Sequence, residues 1–436
     1  MNTPPATSPP AAESPAGGAA RRLISLDALR GFDMFWIIGA DALVSALHRL
    51  KPTPTTGFLA TQLQHVDWQG LHFYDLIFPL FVFIVGVSLV FSLGKTIERA
   101  GRAAALVRIV RRSVLLFLLG IFFSGGVSGL WPDIRLMGVL NRIALAYFFT
   151  GILFCFFRPR TLAGIGAALL LGYWALLALV PIRDLALESG NLARVAEQRG
   201  DSAAAALLRQ GGNPSAVKDS PEWAAAEQLF YSTTNYVRGG FDKGRNLANH
   251  LDFEYLPGRK YDTWWDPEGY LSTIPAVVTC LLGVFAGLLL RDPSRSDYRK
   301  LTRLLAWGAA GIVLGRLWGL EFPVIKKIWT SSYVLVAGGY SALLLAMFYL
   351  VVDIWKFRTW CRPFIWIGMN SITLYLVSEI IGWHGFAERL VGGNVGSFLD
   401  HHLAQGSGEL TICVVGLLLA FAFARFLYRR NIFLRL

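Results

Sequence analysis

Residues 64–79 read QHVDWQGLHFYDLIFP and run straight into the apolar stretch 80–90. His65 thus stands at the mouth of a membrane-length helix, with carboxylates close behind it at Asp67 and Asp75. An imidazole changes protonation nearest neutral pH. It suits proton transfer as a general base, and its ring nitrogen can also carry an acyl group transiently. In either role a neighbouring carboxylate would orient the ring. The same composition fits an interfacial loop in which Trp68, Phe73 and Tyr74 form an aromatic belt and His65 has no chemical role. Position alone leaves both readings open, with Asp41, Asp67 or Asp75 as partner.

Several other groupings could serve chemistry. In SLDALRG, Asp27 and Arg30 stand three apart and share a helical face, as a substrate-binding pair or as a helix-end ion pair. Asp33 and Asp41 lie deeper in the same apolar run, where a carboxylate is costly without a partner; Asp41 lies toward the His65 side. Asp266 and Glu268, in WDPEGYLSTIP, could hold sugar hydroxyls or an ammonium. Pro267 and Glu268 also make an ordinary helix start, since proline suits the first turn and an acid suits the positive dipole end. Asn370 and Ser371, in GMNSITLYL, read as interhelical hydrogen-bond glue or as cavity lining. Asn141 and Arg142 fall inside an apolar run, where an arginine must pair or face water. The chain has no Walker loop, GxSxG elbow, HExxH or dinucleotide fingerprint. A phosphorylated donor must then be held by scattered groups, of which Arg111, Arg112, Asn141 and Arg142 are the candidates. The four cysteines form no CxxC pattern and read as small buried residues, with no metal site expected.

The elements that must position these residues follow from composition. Of 436 residues, 54% are hydrophobic and only 16% charged, against roughly 25% charged in soluble domains. Apolar runs long enough to cross a bilayer recur without period-two alternation, which excludes a β-barrel. The expected fold is all-α, a polytopic bundle of about ten transmembrane helices. The expected spans are 28–48, 73–94, 110–128, 136–157, 161–181, 270–290, 302–320, 330–353, 363–382 and 409–428. Residues 1–21 read as a disordered cytoplasmic tail and 22–436 as the transmembrane domain, with a large periplasmic loop at about 182–269.

The net charge of +12 sits in short clusters between apolar runs, which marks membrane topology rather than a nucleic-acid partner. The clusters at 95–112, 158–160, 291–303, 356–362 and 425–435 fall on the side of Arg21 and Arg22. Both termini are therefore expected in the cytoplasm, with His65 on the opposite face. Lys326 and Lys327 lie on that opposite side, against the charge trend, and so read as binding residues.

Taken in order, the segments SLDALRG, HVDWQGLHFYDLIFPLFVFIVG, GVLNRIALAY, DPEGYLSTIPAVVTCLLGVFAG, KKIWTSSYV and GMNSITLYL resemble the heparan-α-glucosaminide N-acetyltransferase family, over roughly residues 22–430. The resemblance implies a multispanning acetyltransferase that passes acetyl from cytosolic acetyl-CoA to the amine of a glucosamine-type sugar across the membrane. The family's active-site histidine stands in a His-x-x-Trp-x-Gly context, which here is His65, Trp68 and Gly70. The family also places an asparagine before that histidine; Asp41 is the nearest polar candidate, and Asn141 replaces a glutamine of the family pattern. The expected catalytic residues are His65, Asp41 and Asp75. The acceptor is expected to meet Asp27, Arg30, Trp68, Asp266, Glu268, Lys326, Lys327, Asn370 and Ser371. Acetyl-CoA, the cosubstrate, is expected to meet Arg111, Arg112, Asn141 and Arg142, with no metal involved. The bacterial form of the family implies the inner membrane, and a homodimer. Two other classes keep a place: a membrane O-acyltransferase acting on glycan hydroxyls, and a transporter.

Overall fold

The computed structural model describes residues 23–210 and 220–434. The tail 1–21, together with Arg22 and Arg435, lies outside the described residues. Helix α1 (Ile24–Phe35) passes through a widened turn, Trp36–Ala40, into α2 (Asp41–Leu50), followed by α3 (Pro54–Gln62). Next come α4 (Ile77–Phe123), α5 (Val139–Phe156) and α6 (Pro159–Leu179). The long hydrophilic segment holds strands β1 (Ile182–Arg183) and β2 (Tyr236–Val237) and helices α7 (Ser189–Gln198), α8 (Ser202–Gln210), α9 (Pro221–Ser232) and α10 (Leu247–Tyr255). The chain ends with α11 (Thr273–Arg291), α12 (Asp297–Trp318), α13 (Ser331–Phe348), α14 (Arg362–Met369), α15 (Ser371–Ile380), α16 (Trp383–Val391), α17 (Asn394–His402) and α18 (Ser407–Arg429).

Six of these helices, α4, α5, α6, α11, α13 with its extension to Ile354, and α18, are long and apolar enough to cross a membrane. A straight α4 of 47 residues would be about 70 Å long, more than twice the roughly 30 Å of a hydrocarbon core. It instead doubles back at Gly101, whose φ of 80° and ψ of 177° are open to glycine. Across the bend Arg108 donates to Thr96 Oγ1 at 3.0 Å, and Leu89, Val90 and Leu93 pack with Ala105 and Ile109. The two arms occupy the expected spans 73–94 and 110–128. The turn falls between those limits because the charged stretch 95–102 stays helical until a glycine permits reversal. The α1–α2 pair, α12 and the α14–α15 pair occupy the remaining expected spans. The last of these is broken at Asn370.

The core is knitted by backbone contact at small residues, as membrane helices allow. A Cβ on Gly86 of α4 would lie 1.9 Å from the Cys280 carbonyl oxygen of α11, and one on Gly283 of α11 would lie 2.0 Å from that of Phe83. The long segment has its own apolar core, in which Trp223, Phe253, Trp264 and Trp265 gather and Trp68 packs from outside. Its Ala-rich stretch forms two helices rather than one, split at Gly200 with φ of 81°.

Because neither α4 nor α11 can yield backbone at this crossing, Gly283→Ala should destabilise the protein by about 1–3 kcal/mol. A thermal melt in detergent checks this, and an unchanged midpoint would show that the crossing relaxes freely.

Candidate active site

The geometry is built around Asp75. It sits one turn before α4 and its side chain is 1% exposed. Its Oδ2 accepts from the backbone N–H groups of Val66 at 3.3 Å and His72 at 3.0 Å, which folds the His65 loop over the helix start. Its Oδ1 lies 2.8 Å from His65 Nδ1 and 3.3 Å from Lys326 Nζ. The ammonium of Lys326 is also 2.9 Å from His65 Nδ1 and 3.4 Å from Nε2. We assign the Nδ1–H tautomer, with Asp75 accepting; the Lys326 ammonium, which only donates, then makes no hydrogen bond to Nδ1 and has the Nε2 lone pair within reach. The Tyr74 ring lies against the imidazole at 4.8 Å, and its hydroxyl donates to Asp41 Oδ2 at 3.2 Å. Asp41 thus reaches His65 only through Tyr74. Asp67 points away, pairing with Lys243 at 3.3 Å.

Lys326 comes from a distant stretch of chain and is brought here by a short antiparallel bridge. Gln69 pairs with Ile325, and Gly70, at φ of 125°, donates its N–H to the Val324 carbonyl at 2.9 Å. The turn that follows holds Trp329 at φ of 51°, a strained value for a bulky residue. Burial pushes the Lys326 amine below the ordinary lysine range, and the Asp75 carboxylate only partly opposes this.

His65, Asp75 and Lys326 border a cavity of about 300 Å³. Its far wall carries Arg135, Glu268, Arg142 and Lys327. Arg135 is gripped by two carboxylates: Nε and Nη2 donate to Asp266 at 2.8 Å each, and Nη2 donates to Glu268 at 2.8 Å. Burial pushes the Glu268 carboxyl up and Asp266 adds to the shift, with Arg142 and Arg135 opposing. Lys327 pairs with Asp262 at 3.0 Å.

A second cavity of about 270 Å³ is lined by Arg30, Arg108, Arg112, Ser88, Ser92 and Asn370, among others. Phe81, Leu140, Ile143, Ser371 and Ile372 line both cavities, so the two meet at one wall. Along the first arm of α4 the lining passes from Ile77 and Phe78, through Phe81, to Val85, Ser88 and Ser92. That is one helical face, about 22 Å from end to end.

The expected site residues sort accordingly. Asp75, Glu268, Lys326, Lys327, Ser371 and Arg142 line the His65 cavity, and Arg30, Arg112, Asn370 and again Ser371 line the basic one. Asp27 pairs with Arg30 at 3.5 Å, as their spacing implies. Trp68 donates to the Phe241 carbonyl at 2.8 Å and so tethers the His65 loop to the long segment, lining neither of the two cavities. Asp266 is spent on Arg135 rather than facing the cavity. Asn141 packs on Gly120 and donates to the Phe117 carbonyl at 2.9 Å. Arg111 is exposed outside both cavities. Asp33 is fully buried, and neither of its oxygens has a partner among the described residues.

Sequence reasoning passed over Arg135, Tyr74 and Arg108. For Arg135 a signal existed: like Lys326, it is a cation in a short loop on the side whose short loops are poorer in positive charge.

Residues 22–131 match a family described as "Domain of unknown function (DUF5009)". The heparan-alpha-glucosaminide N-acetyltransferase of Mus musculus is 31% identical over 340 residues, covering 73% of this chain and 49% of its own length. The chain belongs to the heparan-alpha-glucosaminide N-acetyltransferase family. The Homo sapiens member is 29% identical over 393 residues, covering 85% of this chain and 55% of its own. The chain thus spans about half the length of the curated relatives it matches. All six sequence segments that resembled the heparan-alpha-glucosaminide N-acetyltransferase family supply lining: Arg30, His65, Arg142, Glu268, Lys326 and Ser371 each come from a different one.

The loop carrying Glu268 rests on Asp252, whose Oδ1 accepts from the Tyr270 N–H at 3.0 Å and whose carboxyl abuts Gly269. Burial pushes Asp252 up to about 8, while the Tyr270 N–H opposes. A carboxyl raised on folding contributes its full stability below its unfolded pKa of about 3.9. That contribution is lost as pH rises through the folded value. Asp252→Asn, which cannot ionise, should therefore melt several degrees higher than wild type at pH 9 and close to it at pH 5. Parallel melting curves across pH would contradict this.

Proposed function

We propose that the protein is a transmembrane N-acetyltransferase. It takes acetyl from acetyl-CoA and delivers it to the amine of a glucosamine-type amino sugar. One observation carries the reading: a basic cavity and a His65–Asp75–Lys326 cavity lie end to end along α4 and share one wall. A donor with a phosphorylated head and a long thin arm fits that arrangement. Arg108, Arg112 and Arg30 meet the phosphates, and the arm reaches the wall at Ser371. Arg112 Nε is buried without a hydrogen-bond partner among the described residues, as a group awaiting an anion would be. The acetyl group, the amine and the sugar come from the printed name of the relatives.

The charge clusters set the sides. The basic cavity opens to the cytoplasm, where both termini lie, and the acceptor arrives at the His65 face of a bacterial inner membrane. A homodimer is the assembly the family implies. His65 Nε2 takes a proton from the acceptor nitrogen as it attacks the thioester carbonyl. Asp75 holds the ring and stabilises the imidazolium that forms. Lys326 balances the Asp75 charge, so that a carboxylate with almost no water contact can stay ionised. Glu268 faces the acceptor, where its carboxyl oxygens can accept from an ammonium or a hydroxyl.

The test is turnover of labelled acetyl-CoA by purified protein with a panel of sugars. Wild type should acetylate those with a free amine, and His65→Ala should lower kcat by about 10²–10⁴. Undiminished transfer by His65→Ala would sink the mechanism. Acetylation of sugars that have hydroxyls only would make the protein an O-acyltransferase, and sugar uptake into vesicles without acetyl-CoA consumption would make it a transporter. Acetyl-CoA supplied alone separates the two histidine roles: label retained on His65 means an acyl carrier, and no label means direct transfer.

A further inference from the structure

Arg142 is fully buried, yet among the described residues it forms no ion pair. Its Nη2 donates to the Pro267 carbonyl at 2.6 Å and to Ser272 Oγ, and the Trp329 ring lies 4.8 Å from the guanidinium carbon. Its Nε and Nη1 have no hydrogen-bond partner. Leaving a charged donor unsatisfied in the interior costs several kcal/mol, so a fold that keeps one has placed it for something that arrives. The position says what arrives. Arg142 lines the His65 cavity and does not line the basic one, while Leu140 and Ile143 of the same helix turn line both. The guanidinium therefore lies on the His65 side, against Pro267 and Trp329 of that cavity's lining, while its helix turn reaches the shared wall. Lys326 cannot play the same part, because its charge is committed to Asp75 at 3.3 Å.

The geometry points to Arg142 as the oxyanion donor of the reaction, its unpartnered N–H groups receiving the thioester carbonyl oxygen once the acetyl group enters the His65 cavity. This rests on the acetyl-transfer reading above. As the neutral amine attacks, the N–C bond forms and the carbonyl π pair moves onto oxygen, opposite Arg142. His65 Nε2 takes the nitrogen proton. Collapse restores the C=O bond, the C–S bond breaks with its pair on sulfur, and the proton held by His65 passes to the thiolate. A preorganised donor already polarises the bound carbonyl and acts most strongly as charge develops on its oxygen. Arg142 therefore belongs to the chemical step rather than to nucleotide binding.

Three measurements on wild type, Arg142→Gln and Arg142→Lys test this: Kd for CoA, kcat, and the infrared carbonyl band of bound acetyl-CoA carrying ¹³C at the carbonyl. In Arg142→Gln, kcat should fall about 100-fold or more, with CoA affinity within about twofold of wild type. The band should move to lower frequency on binding wild type, and move less in Arg142→Gln. Weaker CoA binding at unchanged kcat would overturn the proposal and make Arg142 a phosphate ligand. If Arg142→Gln does not fold, Arg142→Lys decides, since it keeps the buried charge but not the planar fork. A wild-type kcat and band in Arg142→Lys would overturn the assignment. If wild type acetylates no acceptor, the acetyl-transfer reading is what has failed. The band of the wild-type complex still reports on Arg142, and the absence of any shift there overturns the inference by itself.

Discussion

A buried carboxylate at the start of α4 organises the region that faces the long segment. Asp75 is almost inaccessible to solvent, and an ionised carboxylate there is tolerable only if every lone pair is engaged. The groups that engage it include two of the candidate site residues. Two backbone amides close the His65 loop, His65 itself is oriented, and Lys326 is drawn in from the turn before α13. The Asp75 carbonyl meanwhile takes the Tyr333 hydroxyl at 2.7 Å, which ties the start of α4 to the first turn of α13. Through its carboxylate and its carbonyl, Asp75 thus ties the His65 loop to a distant stretch of chain at Lys326 and Tyr333. His65 and Lys326 are placed as a consequence of satisfying it.

The facing wall repeats this logic with the charges exchanged. Arg135 is the partly buried cation there, and Asp266 and Glu268 are its partners. Arg135 is held on one side by the bidentate Asp266 contact, so the Glu268 carboxylate is left at the cavity edge with one firm donor and one side open. The long segment makes this possible. Its Trp-lined core gives residues 256–272 a rigid seat, and Trp68 clamps the His65 loop to the same body. The two walls are therefore positioned relative to each other by the extramembrane segment as well as by the helices.

These dependencies explain what could be read in the sequence. The helix count followed from apolar run length, and the Asp27–Arg30 pair followed from helical spacing, because both are local properties. The choice of Asp75 over Asp67 and Asp41 was not local. All three stand near His65 along the chain or the expected topology. Asp75 wins because the chain between 66 and 72 curls back to hydrogen-bond it, while Asp67 finds Lys243 in a segment whose fold was not legible. Asp266 and Glu268 looked equivalent as neighbours in one motif. Their roles part only because Arg135, read simply as loop, arrives between them. Arg142 was legible as a problem, a buried charge needing a partner, but which cavity it faced could not be read without the packing of α5.

Two recesses approaching each other through a membrane bundle raise a difficulty of their own, since a continuous polar path would leak protons and ions. The shared wall answers it. Phe81, Leu140, Ile143 and Ile372 are apolar, and Ser371 supplies the one hydroxyl among the five residues common to both recesses. An apolar constriction excludes hydrated ions yet costs little to an uncharged group passing through. An acetyl thioester is uncharged, whereas the phosphates behind it are not. For a reaction of the proposed kind, the wall thus lets the reactive end of the donor reach His65 and Arg142 and holds the charged end at Arg108 and Arg112. The break between α14 and α15 at Asn370 gives the wall its shape. It sets Asn370 facing the basic recess and Ser371 at the boundary, on helices too short to span alone.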